Sequence, residues 1–517
     1  MQVIVFVFCL LVSLTINAQV EAIKGVQYKY VDTYNKYYFS KGGKVLSVKI
    51  SNREVVLSKH SIESLELEKV IVTKDLPQGY NLENVIESNG RYFLFYSLWN
   101  RSDDIVRLCY REIDFENVLL MSEEKVLLEA DRKIKKDYHL KAQYGSDITK
   151  RFNFEFSKNK EVVAIFYHLD RERINDKKSY DVIGVHVYNK NFESVWNYVY
   201  TMPYPEVKIK KYQYAVDSQG VSYVTAFVYH KDEISSRELE EDNLLYHIEV
   251  LKLKGKGSME NVVVDQGAIF VRSVDLYEVA GAVMVGVGMY DNKQNRRATD
   301  GFFTFSLSPK GSVSDVKHHE IPLDIINMNE DEKSQKKNLK KESKGSAVMK
   351  NLEFREMIVN EDGALLLISE EYYRVAHSTG GNSYYYTNHF DDILLTKISK
   401  EGKLEWMKRL PKKQMRGGYG KGNMSYKYIY WEGKHYLFYM DYSFNESDGD
   451  LLVFVISNRE GNVNKYVLDK TEDGEDALKT YNVSSLIVLG QKKILMEGES
   501  WKKKKKENLW IKMNIPN

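Results

Sequence analysis

Apolar residues in this chain fall into short runs, many alternating with polar ones, that stop at Gly, Asn, Asp or Pro. A period of two bounded by turn residues predicts strands. Seven times an Asp or Asn stands directly before such a run: Asp104 (DIVRLCY), Asp181 (DVIGVHVY), Asn243 (NLLYHIEV), Asp300 (DGFFTFSL), Asp392 (DILLTKI), Asp450 (DLLVFVI) and Asn508 (NLWIKM). The steps are 77, 62, 57, 92, 58 and 58 residues. That interval is too long for helical solenoids and suits one small antiparallel sheet per unit. The Asp or Asn itself reads as a structural residue that ends a loop by bonding its own backbone.

Two further markers keep the same order. NGRYFLFY (from Asn89) and EGKHYLFY (from Glu432) nearly coincide, with looser copies after Asn159, Gly220, Gly281, Gly363 and Gly490. A Gly or Asn there supplies the positive φ of a tight hairpin. Gly311, Gly402 and Gly461 mark a second reversal, and Pro77, Pro203, Pro322 and Pro411 follow the last run of a unit, where a missing N–H is tolerated. The unit is therefore strand A, turn, strand B, loop, strand C, turn, strand D. The predicted fold is all-β, a β-propeller of seven or eight four-stranded antiparallel blades. Two smaller all-β domains are the competing architecture.

Residues before Gln78 look like an irregular extra unit, and the last unit stops after strand C near Lys512–Ile515. An early strand such as Val26–Tyr30 supplies its missing partner and closes the ring, which leaves no unpaired edge. One charged segment, 327–350, breaks the pattern and accounts for the 92-residue step. It reads as a solvated, partly helical insertion between blades, with a lid as the sharper alternative.

Residues 1–18 are uncharged and apolar and end at Asn17-Ala18-Gln19, which predicts a signal peptide followed by one propeller domain over 19–517. Export to the periplasm, outer envelope or medium follows, with no transmembrane segment in the mature chain. Cys9 lies in the signal, so Cys109 is alone and reads as a buried apolar residue. A net charge of +2 gives no electrostatic case for nucleic acid. No cofactor is implied.

In such blades the B–C and D–A connections open on one face. The B–C connections are the long, varied ones, so that face is the expected working face. The longest is a loop, Glu370–Asp391, offering Tyr372, Tyr373, Arg374, His377, Tyr384, Tyr385, Tyr386 and His389 around Gly380-Gly381. Amphipathic rings with an Arg suit sugar or peptide recognition, although half of these tyrosines could instead belong to strand extensions. Arg416 and Tyr419 lie in a D–A connection on the same face, in a glycine-rich segment without phosphate-loop spacing. Neither His377/His389 nor His318-His319 has zinc spacing, and the acidic loop 445–450 lacks the closing Glu of a calcium loop. Lys502–Lys506 read as a solvated hairpin tip that could meet an acidic polysaccharide or lipid head groups. No nucleophile elbow or HExxH motif occurs. Glu370-Glu371 and Asp391-Asp392 bracket the long loop and could face one another as glycosidase carboxylates do.

The stretch DDILLTKISKEGKLEWMKRLPKKQ (Asp391–Gln414), the tyrosine loop before it and the GRYFLFY and GKHYLFY copies resemble exported bacterial proteins with propeller-like repeats. The resemblance implies fold and compartment and no activity. The expected function is non-enzymatic binding of a glycan or a protein partner through the tyrosine-rich face. A carbohydrate-active hydrolase or lyase on the same scaffold is the alternative, and a structural part of a surface assembly is a third.

Overall fold

A computed structural model describes residues 22–516, apart from 52–53, 132, 136–149, 171–178, 232–244, 280, 293–297, 345, 381–382, 418–423, 443–448, 471–477 and 503–504. The predicted signal peptide, Tyr419, Asn243 and most of the acidic loop lie outside the described residues. The rest folds as eight antiparallel blades, spanning 35–73, 81–130, 153–205, 209–264, 270–320, 352–410, 426–469 and 478–514. Strand order within each blade is A-B-C-D, as the repeat predicted. The segment expected to be irregular is a regular first blade: Asn35–Lys41, Lys44–Ile50, Val55–Ser61 and Leu67–Thr73.

Local chemistry sets the reversals. Asn89-Gly90 and Glu432-Gly433 take φ of 51°, 73°, 47° and 74°, the two consecutive positive values of a twist-matched hairpin turn. Proline marks the exit of strand D at Pro77, Pro322 and Pro411. Pro203 departs from that reading, because strand D of blade 3 continues through Pro205.

Burial follows strand position. Strand B of blade 5 (Met284–Asp291) is buried throughout, whereas strand D of blade 1 is mostly exposed. Strands A of neighbouring blades pack on one another around the axis, as those of blades 3, 4 and 5 do. Apolar side chains gather between blades: Leu46, Val48 and Leu94 join blades 1 and 2, Phe95 and Ile165 join 2 and 3, and the series continues blade by blade. It returns to its start where Val45 and Leu65 of blade 1 meet Leu495 and Trp510 of blade 8. Each such fully buried side chain contributes about 1.5–3 kcal/mol.

The N-terminal segment completes blade 8. Ala22–Lys24 and Tyr28–Lys29 both pair antiparallel with its strand C, Lys505–Asn514. The expected latch was Val26–Tyr30; the pairing begins earlier and is interrupted at Gly25, where a Cβ would lie 2.5 Å from that of Leu65. A buried charge cluster fixes this seam. Glu497 of blade 8 accepts from Lys49 Nζ at 2.6 Å, from Tyr38 OH at 2.7 Å and from the Tyr28 hydroxyl of the latch. Lys49 also donates to Asn508 Oδ1 at 3.1 Å. Burial alone would raise the Glu497 carboxyl, but the Lys49 and Lys36 ammonium groups and these hydrogen bonds hold it below its ordinary value.

The insertion is a short helix α1 (Leu323–Asn327) and a helix α2 (Glu332–Glu342) capped by Asp331, whose side chain accepts from Ser334 N. Met349–Lys350 just after it pair with Ala298–Thr299 of the blade 5 B–C connection, which ties it to that face.

Replacing Glu497 with Ala leaves Lys49 charged and unpaired in the seam, so the urea midpoint should fall by the equivalent of about 3–5 kcal/mol. Lys49→Met/Glu497→Leu should lose less. Since the folded-state pKa is depressed, the wild-type advantage is present above the unfolded value and is lost as pH falls through the folded one. An unchanged midpoint for Glu497→Ala would remove the seam from its central role.

Candidate functional site

The segment expected as the long loop is instead a β-ribbon. Strand B of blade 6 runs Leu365–Gly380 and strand C runs Ser383–Ile398, paired from the blade core out to Gly380↔Ser383. Alternating β-branched and aromatic residues keep the ladder going where the blade proper ends. Gln414–Gly417 adds a third strand over Thr387–Phe390. The result is an arm projecting from the B–C face.

Strand geometry divides the predicted site residues between two faces. Register opposes Tyr373 to His389 and His377 to Tyr385 on one face, and Tyr372 to Phe390, Arg374 to Asn388 and Ala376 to Tyr386 on the other. Tyr384 and Tyr386 share the second face with Arg416, whose pairing partner is Asn388. On the first face Tyr373 stacks on His389 at 4.5 Å and His377 on Tyr385 at 4.6 Å. The Thr387 hydroxyl joins both imidazoles, at 2.8 Å from His377 Nε2 and 3.0 Å from His389 Nε2. On the second, the Arg374 guanidinium lies 4.5 Å from the Tyr386 ring centre. Tyr384, Tyr385 and Tyr386 at the tip are 57 %, 52 % and 39 % exposed. The two remaining tyrosines are anchored, Tyr372 OH to Asn388 Oδ1 at 3.0 Å and Tyr373 OH to Asp391 Oδ2 at 2.9 Å.

The arm's base is a buried ion network. Lys412 Nζ meets Glu370 at 2.9 Å, and Arg355 meets the same carboxylate at 3.0 Å. Arg409 binds Glu371 at 3.2 Å, Asp392 at 2.8 Å and Glu330 of the insertion at 3.0 Å. The bracketing acids therefore do not oppose one another across an open cleft as a glycosidase pair; Glu371 and Asp392 share one guanidinium. Burial pushes Glu371 up to about 7 against the pull of Arg409.

The recurring Asp and Asn residues differ among themselves. Asp181 accepts from Lys135 Nζ at 2.5 Å and Tyr212 OH at 2.8 Å, Asp104 from Trp99 Nε1 at 3.1 Å, and Asp392 from Lys412 N at 3.0 Å. The partners of Asp181 and Asp392 come from other segments, Trp99 lies across the B–C hairpin from Asp104, and Asp300 accepts from Asn292 N at 2.6 Å within its own B–C connection. The motif therefore ties its own loop at Asp300, as expected, and joins separate segments at Asp181 and Asp392.

Sequence reasoning missed a set of carboxyls on strands A. Glu155 lies on Asn153–Phe156 of blade 3, Asp275 on Phe270–Glu278 of blade 5, and Glu356 on Leu352–Val359 of blade 6. Burial, then the charge of Asp275, pushes Glu155 up to about 8. Burial pushes Asp275 up to about 6. Blades 3 and 5 are not adjacent, yet Lys158 N of blade 3 donates to Glu278 Oε2 of blade 5 at 3.1 Å, and their strands A both pack on strand A of blade 4, which places these strands at the axis. Tyr277 is raised by burial and then by Asp275, Glu356 and Glu155, and Tyr426 OH donates to Glu356 Oε1 at 3.1 Å. Single charges inside FNFEF, VRSVDLY and FREM were the available signal.

A carboxyl whose folded pKa is raised binds more protons in the native state, so stability declines as pH climbs from the unfolded value through the folded one. Glu155→Gln should therefore match wild type in Tm near pH 4 and exceed it near pH 8.5. Parallel Tm-versus-pH curves for the two proteins would show that Glu155 is not held protonated.

No protein-family model and no curated protein matches the chain. Among solved structures it is similar to polysaccharide lyase Uly1, at 9% identity over 95% of this chain and 92% of that one, with a TM-score of 0.37. It is also similar to the β-propeller domain of the Trilobed protease from Pyrococcus furiosus, at 10% identity, 84% and 98% coverage and a TM-score of 0.35. The WD40 domain of SCAP from fission yeast matches at 7% identity, 96% and 94% coverage and a TM-score of 0.35. Similarity at this level transfers neither ligand nor activity.

Proposed function

We propose that this propeller is an exported, non-enzymatic binding protein that holds a glycan or a protein partner on its B–C face. The observation that carries this reading is the arm: three exposed tyrosines on a hydrogen-bonded ribbon, with their neighbours already stacked. Rigid aromatic rings give contact area at small entropic cost, and a preformed platform loses little freedom on binding. Export rests on the uncharged apolar residues 1–18.

Because the rings divide between two faces, single-face variants separate their roles. On a glycan array, Tyr384→Ala/Tyr386→Ala should weaken binding at least tenfold, while Tyr385→Ala changes it little. Equal effects would mean that the ligand wraps the tip. Binding untouched by all three substitutions would remove the arm from the site.

A second reading, a carbohydrate-active hydrolase or lyase, draws on the axis-side carboxyls. A group held protonated near neutrality beside a more acidic one is the arrangement that general acid–base chemistry uses. If it applies, incubation with polysaccharides releases reducing ends or unsaturated products, and both Glu155→Gln and Asp275→Asn abolish the release. Release that persists in both variants, or none from wild type, ends that reading.

A further inference from the structure

Positive charge is not spread evenly over this nearly neutral chain. Residues 332–344 hold six lysines against two glutamates, and Lys502–Lys506 are five consecutive lysines, while the whole protein is only +2. The fold opens both stretches on the same face of the ring. The α2 segment is a D–A connection, and Lys502 and Lys505–Lys506 flank a B–C connection, so both lie on the face that carries the arm. Contacts confirm the placement of the insertion: Arg409 at the arm's base donates to the carbonyls of Ile326 at 2.7 Å and Met328 at 3.1 Å.

Aromatic rings on the same face carry cations. Arg374 lies over Tyr386 at 4.5 Å, Lys506 over Trp501 at 5.6 Å and over Tyr30 at 5.3 Å, Lys36 over Tyr30 at 5.2 Å, and Arg101 over Trp99 at 5.1 Å. These rings come from blades 2, 6 and 8 and from the latch. Arg416 of the arm lies near enough to Tyr30, which follows the latch, to act on it electrostatically. Among the described residues, several acids on this face are paired within the protein: Asp181 with Lys135, Asp392 and Glu371 with Arg409, Asp391 with Tyr373. Arg374, Arg416, Lys506 and Arg101 make no ion pair with a described residue. Crowded cations of this kind raise the local concentration of an anionic partner.

From this we infer that the B–C face binds an acidic polysaccharide, one whose sugar rings bear carboxylate or sulfate groups. The inference deepens the binding reading above and rests on it. Cation and ring are juxtaposed within about one sugar's width, and an acidic sugar carries its anion on the same ring as its apolar C–H face. Nucleic acid places a ribose between the stacking base and the phosphate, which fits that juxtaposition less well. An acidic protein has no flat C–H face to lay on the rings.

The test is calorimetric binding of the full chain to dextran sulfate, sodium alginate, neutral dextran and poly(dA) at 150 mM NaCl. Dextran sulfate and alginate should bind at least tenfold more tightly than dextran and more tightly than poly(dA), weakening as salt rises. Two variants with exposed substitutions should each lose at least tenfold: Lys333→Glu/Lys337→Glu/Lys340→Glu, which alters charge alone, and Tyr386→Ala/Trp501→Ala, which keeps it. Unaltered unfolding midpoints exclude misfolding as the cause. If only the charge variant weakens binding, the protein is acting as an ion exchanger and the inference fails. Dextran binding as well as dextran sulfate, or poly(dA) binding as tightly, also overturns it. Neutral glycans held by the arm without the anionic polymers overturn the inference and leave the binding reading intact. No polysaccharide bound at all removes the inference and favours a protein partner.

Discussion

A circle of sheets holds together only if its first and last members are joined as firmly as the rest, because one open seam leaves two unpaired edges. Here that join depends on the Glu497–Lys49 pair and the two tyrosine hydroxyls that converge on it. The residues come from the last blade, the first blade and the latch, so no one segment can satisfy the charge alone. Tyr38 stands edge-on to Trp510, and Tyr28 lies against His60, so the polar cluster is walled by rings that keep water out. In a dry site a misplaced latch would leave an ion unpaired, which makes the closed register strongly preferred over slipped ones.

The other seams follow the same division of labour. Apolar clusters supply most of the energy, and a few buried polar contacts set the alignment. Glu83 of blade 2 accepts from Arg151 N at 2.9 Å as the chain enters blade 3, Asp181 of blade 3 accepts from Tyr212 of blade 4, and Glu370 of blade 6 accepts from Ser425 at 2.8 Å. Hydrophobic contact is non-directional, so blades could slide on one another; a hydrogen-bonded carboxylate between them cannot. The arm is an outgrowth of this scaffold. Its two strands start as the central pair of blade 6, and the ion network at Arg409 and Lys412 clamps them where they leave the core.

Strand order, hairpin positions and blade number were largely legible because each rests on local chemistry. GRYFLFY needs a tight turn before it and a buried face along it wherever it occurs. The seven-or-eight ambiguity came from the first blade, whose strand C run VVLSKHS follows Glu54 and not an Asp or Asn. The arm was misread as a loop since glycine and polar residues interrupt its apolar pattern; cross-strand pairing, which no single segment displays, holds it as sheet. The same alternation split Tyr384, Tyr385 and Tyr386 between two faces, although their adjacency had suggested a single patch. Glu155, Asp275 and Glu497 were invisible for a related reason: each is a lone charge in an ordinary strand until other blades surround it.

By itself, the order of residues determined the repeating four-strand unit, its turns and the face on which the long connections emerge, because these follow from neighbours a few positions apart. Only the tertiary structure decided which charges meet. Lys49 and Glu497 stand 448 positions apart, and Glu155 and Asp275 belong to blades that are not adjacent in the ring. Coulomb and desolvation energies depend on distance through space and on what excludes water, and neither quantity exists until the ring is shut.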